Sequence, residues 1–134
     1  MGMGEAVIVV GLGFRKGISA AQVESALAAA VHATRADHGH LGCIAVPAAK
    51  GAEAGIVAVA AARGAALVLI EQADLEAADA RTMTRSVRAM RTLNVHCVAE
   101  AAALAAAGPE GRLLAPRIIV GPVTCALAEA SVGP

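Results

Sequence analysis

At residues 7–17 the chain reads VIVVGLGFRKG, a β-branched run that feeds three glycines with an Arg-Lys pair between the last two. The run AVIVV at 6–10, ending at Gly11, is short and continuously apolar. That is the pattern of a strand buried on both faces, as in a parallel sheet. Glycines then let the backbone turn sharply and bring N–H groups near a ligand. A helix is expected to start near Ser19, and its N-terminus favours negative charge. Arg15 adds a planar fork suited to carboxylate or phosphate, and Lys16 a mobile charge. Gly11, Gly13, Arg15, Lys16, Gly17 and Ser19 therefore form a candidate anion site. The same residues also read as a tight β-to-α turn with two solvated cations.

Working outward, residues 19–35 predict a helix. Ser19 is a good N-cap, and Val23, Leu27 and Val31 share a face. GCIAV at 42–46 reads as a second strand closed by Pro47. Residues 52–63 read as a second helix stopped by Gly64, and AALVLI at 65–70 as a third strand. This β-α-β-α-β order implies a parallel sheet with right-handed crossovers. Residues 71–94 are more polar, and Thr82 to Leu93 suggest a helix with Arg81, Arg85, Arg88 and Arg91 on one basic, solvated face. VAEAAALAAA at 98–107 reads as a short alanine helix. RLLAPRIIV and VTCALAEA flank Gly121-Pro122 and predict an antiparallel hairpin. The expected architecture is α/β, a three-layer α/β/α fold. Its mostly parallel, mixed sheet has about five strands and ends in a C-terminal antiparallel hairpin.

The bulk properties narrow the partners. With 134 residues the chain is expected to form one domain, 1–134. Hydrophobic residues make up 57%, and about a quarter of the chain is alanine. With one Phe and no Trp or Tyr, the core must be aliphatic and base-stacking platforms are missing, which argues against single-stranded nucleic acid. A net charge of +0 argues against polyanions in general. Cys43, Cys97 and Cys125 form no CxxC and read as buried thiols. No secretory signal, myristoylation pattern or membrane span is read, so a cytoplasmic protein is expected.

Two nucleotide motifs fail. Gly11, Gly13 and Gly17 give GxGxxxG, one residue longer than the dinucleotide fingerprint, and strand two ends in Val46-Pro47 without the ribose-reading acid. Lys16 is followed by Gly17, so the loop is no Walker A motif. A second loop adds weight to an anion site. PAAKGAE follows strand two and brings Lys50 and Glu53 to the same sheet edge as the glycine loop. Glu53 is the candidate general acid–base. It also reads as a helix-start carboxylate, as does Glu100. Thr124 lies in the closing hairpin. Asp37-His38-Gly39-His40 is a weak metal signal, and no metal site is assigned. His32 and His96 read as surface or partly buried groups.

Four blocks carry a resemblance over nearly the whole chain. They are GLGFRKGISA, AAKGAEAGI, VAEAAALAAAG and LLAPRIIVGPVTCALA. In this order they resemble the CobE family, also known as the C-terminal domain of CbiG, from cobalamin biosynthesis. Arg117 stands where the family has Lys, which keeps the charge. The resemblance implies a protein that binds a polycarboxylate corrin or precorrin intermediate and acts on it or assists a pathway enzyme. The full CbiG protein has further domains and opens a lactone ring on a corrin precursor. The present length resembles the standalone CobE type, in the oxygen-dependent route. Arg15, Lys16, Lys50 and Arg117 would then meet the ligand's carboxylates, with Glu53, Glu100 and Thr124 nearby. Ala48, Ala49 and Gly51 would leave room for the ring. No cofactor is implied. A non-catalytic corrinoid carrier and a Rossmann-like nucleotide binder unrelated to corrins are the alternatives. An alanine-rich surface helix is expected to offer a face for a homodimer.

Overall fold

The computed structural model describes residues 7–35, 40–51, 53–85 and 94–130. In it β1 (Val7–Phe14), α1 (Ala20–Thr34), β2 (His40–Pro47), α2 (Ala54–Arg63) and β3 (Ala66–Ile70) follow in the expected order. They are followed by α3 (Gln72–Ala78), α4 (Val98–Ala107), β4 (Arg112–Leu113), β5 (Ile118–Val120) and β6 (Val123–Ala130). Single 3-10 turns, Ala48–Lys50 and Asp79–Arg81, close β2 and α3. The sheet has six strands in the order β3-β2-β1-β6-β4, with β5 also paired to β6. β1, β2 and β3 are parallel. β6 runs antiparallel to β1 and takes β4 and β5 on its other side.

Strand alternation sorts the core into two layers. Ile8, Val10, Leu12 and Phe14 of β1 pack with α1 and α2, through residues such as Leu27 and Ile56. Val9 points to the opposite face, where α3 and α4 lie over Ala45, Ala126 and Ala128. This is the three-layer α/β/α arrangement that the sequence predicts. The hairpin is also present, with Val120 opposite Val123 across Gly121-Pro122.

Several expectations are corrected. β1 does not end at Gly11 but continues to Phe14, so Gly11 and Gly13 are strand residues. The reason is packing. A Cβ at Gly11 would collide with the backbone of α4, 2.6 Å from Ala103 N and closer still to Ala99 O. Glycine here lets an alanine helix lie directly on the strand. α4 itself is not a surface helix, because Ala99 to Leu104 and Ala107 are all buried. The polar stretch after β3 contains α3, held by buried Leu75 and Ala78 one turn apart. Thr82–Arg85 is not helical, and the rest of the predicted basic helix lies outside the described residues. RLLAPRIIV is split into β4 and β5. Pro116, which has no N–H to give a ladder, lies in the gap between them.

Candidate functional site

Two loops leave the carboxyl ends of β1 and β2 side by side. In the first, Ser19 caps α1 through a capping box: its hydroxyl accepts from Gln22 N at 3.1 Å, and its own N–H donates to Gln22 Oε1 at 2.9 Å. Gly17 has φ 83, a left-handed conformation that favours glycine. Its N–H donates to Glu53 Oε1 at 3.0 Å, across 36 residues of sequence. Glu53 is the N-cap residue of α2, yet its carboxylate makes no cap bond. It ties the loops together instead. Gly55 completes the join, because a Cβ there would come within 2.8 Å of Ala20 N, Ile18 O and Ser19 C. Arg15, Lys16 and Lys50 project from these loops, all exposed.

The start of α4 forms the third side. A Cβ at Gly13 would lie 3.9 Å from Val98 Cβ and from Ala99 N, and 3.7 Å from Thr124 Cβ. Thr124 pairs directly with Gly13 in the sheet. Behind this contact Glu100 is fully buried, at 0% exposure. Its Oε1 accepts from Met83 N at 2.7 Å and Thr84 N at 2.9 Å, and its Oε2 accepts from Thr84 Oγ1 at 2.6 Å and Arg117 N at 2.9 Å. Burial pushes the Glu100 carboxyl up. The bonds from Thr84, Arg117 and Met83 outweigh this and hold it below its ordinary value. Glu100 therefore acts on the edge from inside, by fixing the segments that carry Thr84 and Arg117.

Sequence reading missed one cluster. Asp79 accepts from the His96 main-chain N–H at 2.7 Å, and both its oxygens lie about 3 Å from His96 Nδ1, at 3.0 and 2.9 Å. Arg85 Nη1 is 2.9 Å from the same Nδ1 and 3.9 Å from Asp79 Oδ2. Partial burial raises the Asp79 pKa, but His96 and Arg85 together hold it below its usual value. Asp79 and His96 are 17 residues apart and share no motif, so only the tertiary fold brings them together.

Arg35, the C-cap residue of α1, has no acidic partner among the described residues, and the other described cations divide into two groups. Arg63 pairs with Glu24, Arg85 with Asp79 and Arg112 with Glu129. Arg81 donates to Leu104, Gly108, Pro109 and Gly111 carbonyls at the end of α4, so it is a helix cap and not part of a solvated basic face. Arg88 and Arg91 lie outside the described residues. The side chains of Arg15, Lys16, Lys50 and Arg117, by contrast, have no acidic partner among the described residues. All four belong to the edge just described. An edge with small residues, an uncompensated set of cations and a helix N-terminus suits an anion. Among the described residues no three His, Cys, Asp or Glu side chains are grouped to hold a metal. Asp37, His38 and the His40 side chain lie outside them. The cysteines are unbridged, and burial raises each thiol, Cys125 to about 12. No described helix is long and apolar enough to cross a membrane.

Fold and edge thus define an α/β protein with exposed, unpaired cations at the carboxyl edge of its sheet. Residues 8–128 match the cobalamin synthesis G C-terminus family, and the chain belongs to that family. CobE, described as a protein from the cobalamin (vitamin B12) biosynthetic pathway, is 25% identical with a TM-score of 0.84, over 96% of this chain and 94% of CobE. The cobalamin biosynthesis protein ChiG from Agrobacterium tumefaciens is 34% identical with a TM-score of 0.72, over 93% of this chain and 99% of that one. A putative cobalamin biosynthesis protein G homolog from Sulfolobus solfataricus shares the fold over 37% of its own length, at 18% identity and a TM-score of 0.66. No curated protein sequence matches significantly. Membership places the chain among the proteins of cobalamin biosynthesis.

Proposed function

We propose that the carboxyl edge binds a polycarboxylate corrin precursor, and that the protein acts on it or presents it to a pathway enzyme in the oxygen-dependent route. The observation that carries this reading is the unequal pairing of the cations. Arg63, Arg81, Arg85 and Arg112 are matched with acids or carbonyls, whereas Arg15, Lys16, Lys50 and Arg117 are left open around one edge. A macrocycle ringed by acetate and propionate groups needs such spaced charges, and each contact to a carboxylate is charge-assisted. Ala48, Ala49 and Gly51 give it a low wall between them. In this reading Glu53 is the strut that sets the distance between the two cation loops, through Gly17.

The test is an absorption titration with a metal-free polycarboxylate corrin. The wild type is expected to give a saturable band shift that weakens with salt. Arg15→Ala with Lys50→Ala should weaken binding about tenfold or more, roughly 1.4 kcal/mol. Equal affinity in the double variant would refute the edge as the site. Glu53→Gln keeps an acceptor oxygen for Gly17 and should bind as the wild type does.

A further inference from the structure

The carboxylates at the edge are engaged in the fold, Glu53 with Gly17 and Glu100 with four donors. One proton-carrying side chain beside them is oriented yet open. An ionised carboxylate cannot donate, so the contacts of 2.9 and 3.0 Å between Asp79 and His96 place the imidazole proton on Nδ1. Arg85 Nη1, also 2.9 Å from Nδ1, then acts as a neighbouring charge and not as a second donor. Asp79 and Arg85 are the charged groups in contact with His96 among the described residues. This tautomer leaves the lone pair on Nε2. Nε2 has no hydrogen-bond partner among the described residues, and the side chain is 30% exposed. His96 precedes Val98, which lies against Gly13, by two residues, so the two Cα atoms are at most about 7 Å apart. The His96 backbone therefore lies near the edge that carries the cations.

We propose that His96, oriented by Asp79, is the proton-transfer residue of this edge. The proposal rests on the corrin-binding reading above. Nε2 takes a proton from a ring carbon next to a C=N bond, and the C–H electron pair moves into the conjugated system as an enamine. The imidazolium returns the proton to another carbon of that system, forming a new C–H bond. The net change is a tautomerisation that needs no oxidant, reductant or cofactor. Asp79 is the positioning residue, because its charge stabilises the transient imidazolium.

The probe is a metal-free polycarboxylate corrin in D2O, followed by mass spectrometry and by its absorption bands. Bound to the wild type, the corrin is expected to take up deuterium at least tenfold faster than free corrin in the same buffer. His96→Gln should keep the band shift of binding and fall to the free rate. Asp79→Asn retains an acceptor for the His96 amide. It should slow exchange while leaving the affinity of the corrin in place, since the imidazolium loses its counter-charge but the binding cations are untouched. A residue with only a structural role would change binding and exchange together. Wild-type exchange no faster than free corrin overturns the proposal, and so does wild-type speed in His96→Gln. A wild type that gives no band shift overturns the binding reading itself, and the proposal with it.

Discussion

Replacing Glu100 by Gln tests whether a buried carboxylate assembles the edge. In the wild type one oxygen takes the Met83 and Thr84 amides, and the other takes the Thr84 hydroxyl and the Arg117 amide. A carboxamide fits the same space but has one acceptor oxygen. Oriented to keep Met83 and Thr84, it turns its NH2 toward Thr84 Oγ1, which can rotate to accept, and toward the Arg117 N–H, which cannot. One buried donor is then left unpaired, at about 1–3 kcal/mol, and the remaining bonds lose their charge assistance. The flipped amide does worse, leaving two backbone donors unpaired. A loss of about 2–3 kcal/mol in urea unfolding at neutral pH is expected. The pH dependence has a definite sign. The folded carboxyl is held below its ordinary value, so its contribution is full above the unfolded pKa of about 4.3 and is lost as pH falls through the folded value. The gap between wild type and Glu100→Gln should therefore narrow on acidification. Amide exchange at Met83, Thr84 and Arg117 should speed up in the variant. A variant within about 0.5 kcal/mol of wild type at pH 7 would refute the reasoning. So would a gap that stays the same from pH 7 down to about pH 2.5, well below the unfolded carboxyl value.

Two further substitutions test the packing beneath the edge. Gly11→Ala places a methyl group against the backbone of α4 and should cost about 1–3 kcal/mol by chemical denaturation, the usual range for overpacking; an unchanged midpoint would mean that α4 does not rest on β1 as described. Arg81→Ala removes the guanidinium from four carbonyls at the end of α4 and should cost about 1 kcal/mol, lowering Tm by about 4 °C, whereas Arg81→Lys, which lacks the fork, should recover only part of it.

How far the sequence reveals this fold depends on whether a signal is local. The strand at Val7–Val10, the N-cap at Ser19 and the Gly121-Pro122 hairpin are read from neighbouring residues, and each is found. The edge position of Arg15, Lys16 and Lys50 is legible from topology, because parallel strands bring their carboxyl ends together. Failure begins where a residue serves a distant partner. Gly11 looks like the start of a loop because glycine ends a β-run, yet its reason is Ala99 and Ala103, far along the chain. α4 looks amphipathic in neither direction, since alanine marks no face, and so its burial is invisible. α3 is too short to show a period beyond Leu75 and Ala78. Glu100 to Thr84 and Asp79 to His96 span 16 and 17 residues without a motif.

The acidic residues explain how a chain with no net charge presents a cationic edge. Its acids and bases are equal in number, 11 each, so an uncompensated cluster requires that the acids near it be occupied. Glu53 is turned onto a backbone amide of the first loop, Glu100 is buried on four donors, and Asp79 is turned to His96. Two of these carboxylates hold a backbone segment that carries or flanks an open cation, Gly17 beside Lys16 and Arg117 itself, and Asp79 holds the approach to α4. The same bonds that shape the edge therefore keep these carboxylates from pairing with its open cations. Potential at the edge and rigidity of the edge have one structural cause. Loosening a strut while keeping its carboxylate, as by a change at the Gly17 turn, should accordingly weaken anion binding by two routes, through looser loops and through a carboxylate freed to pair with the very cations it had left open.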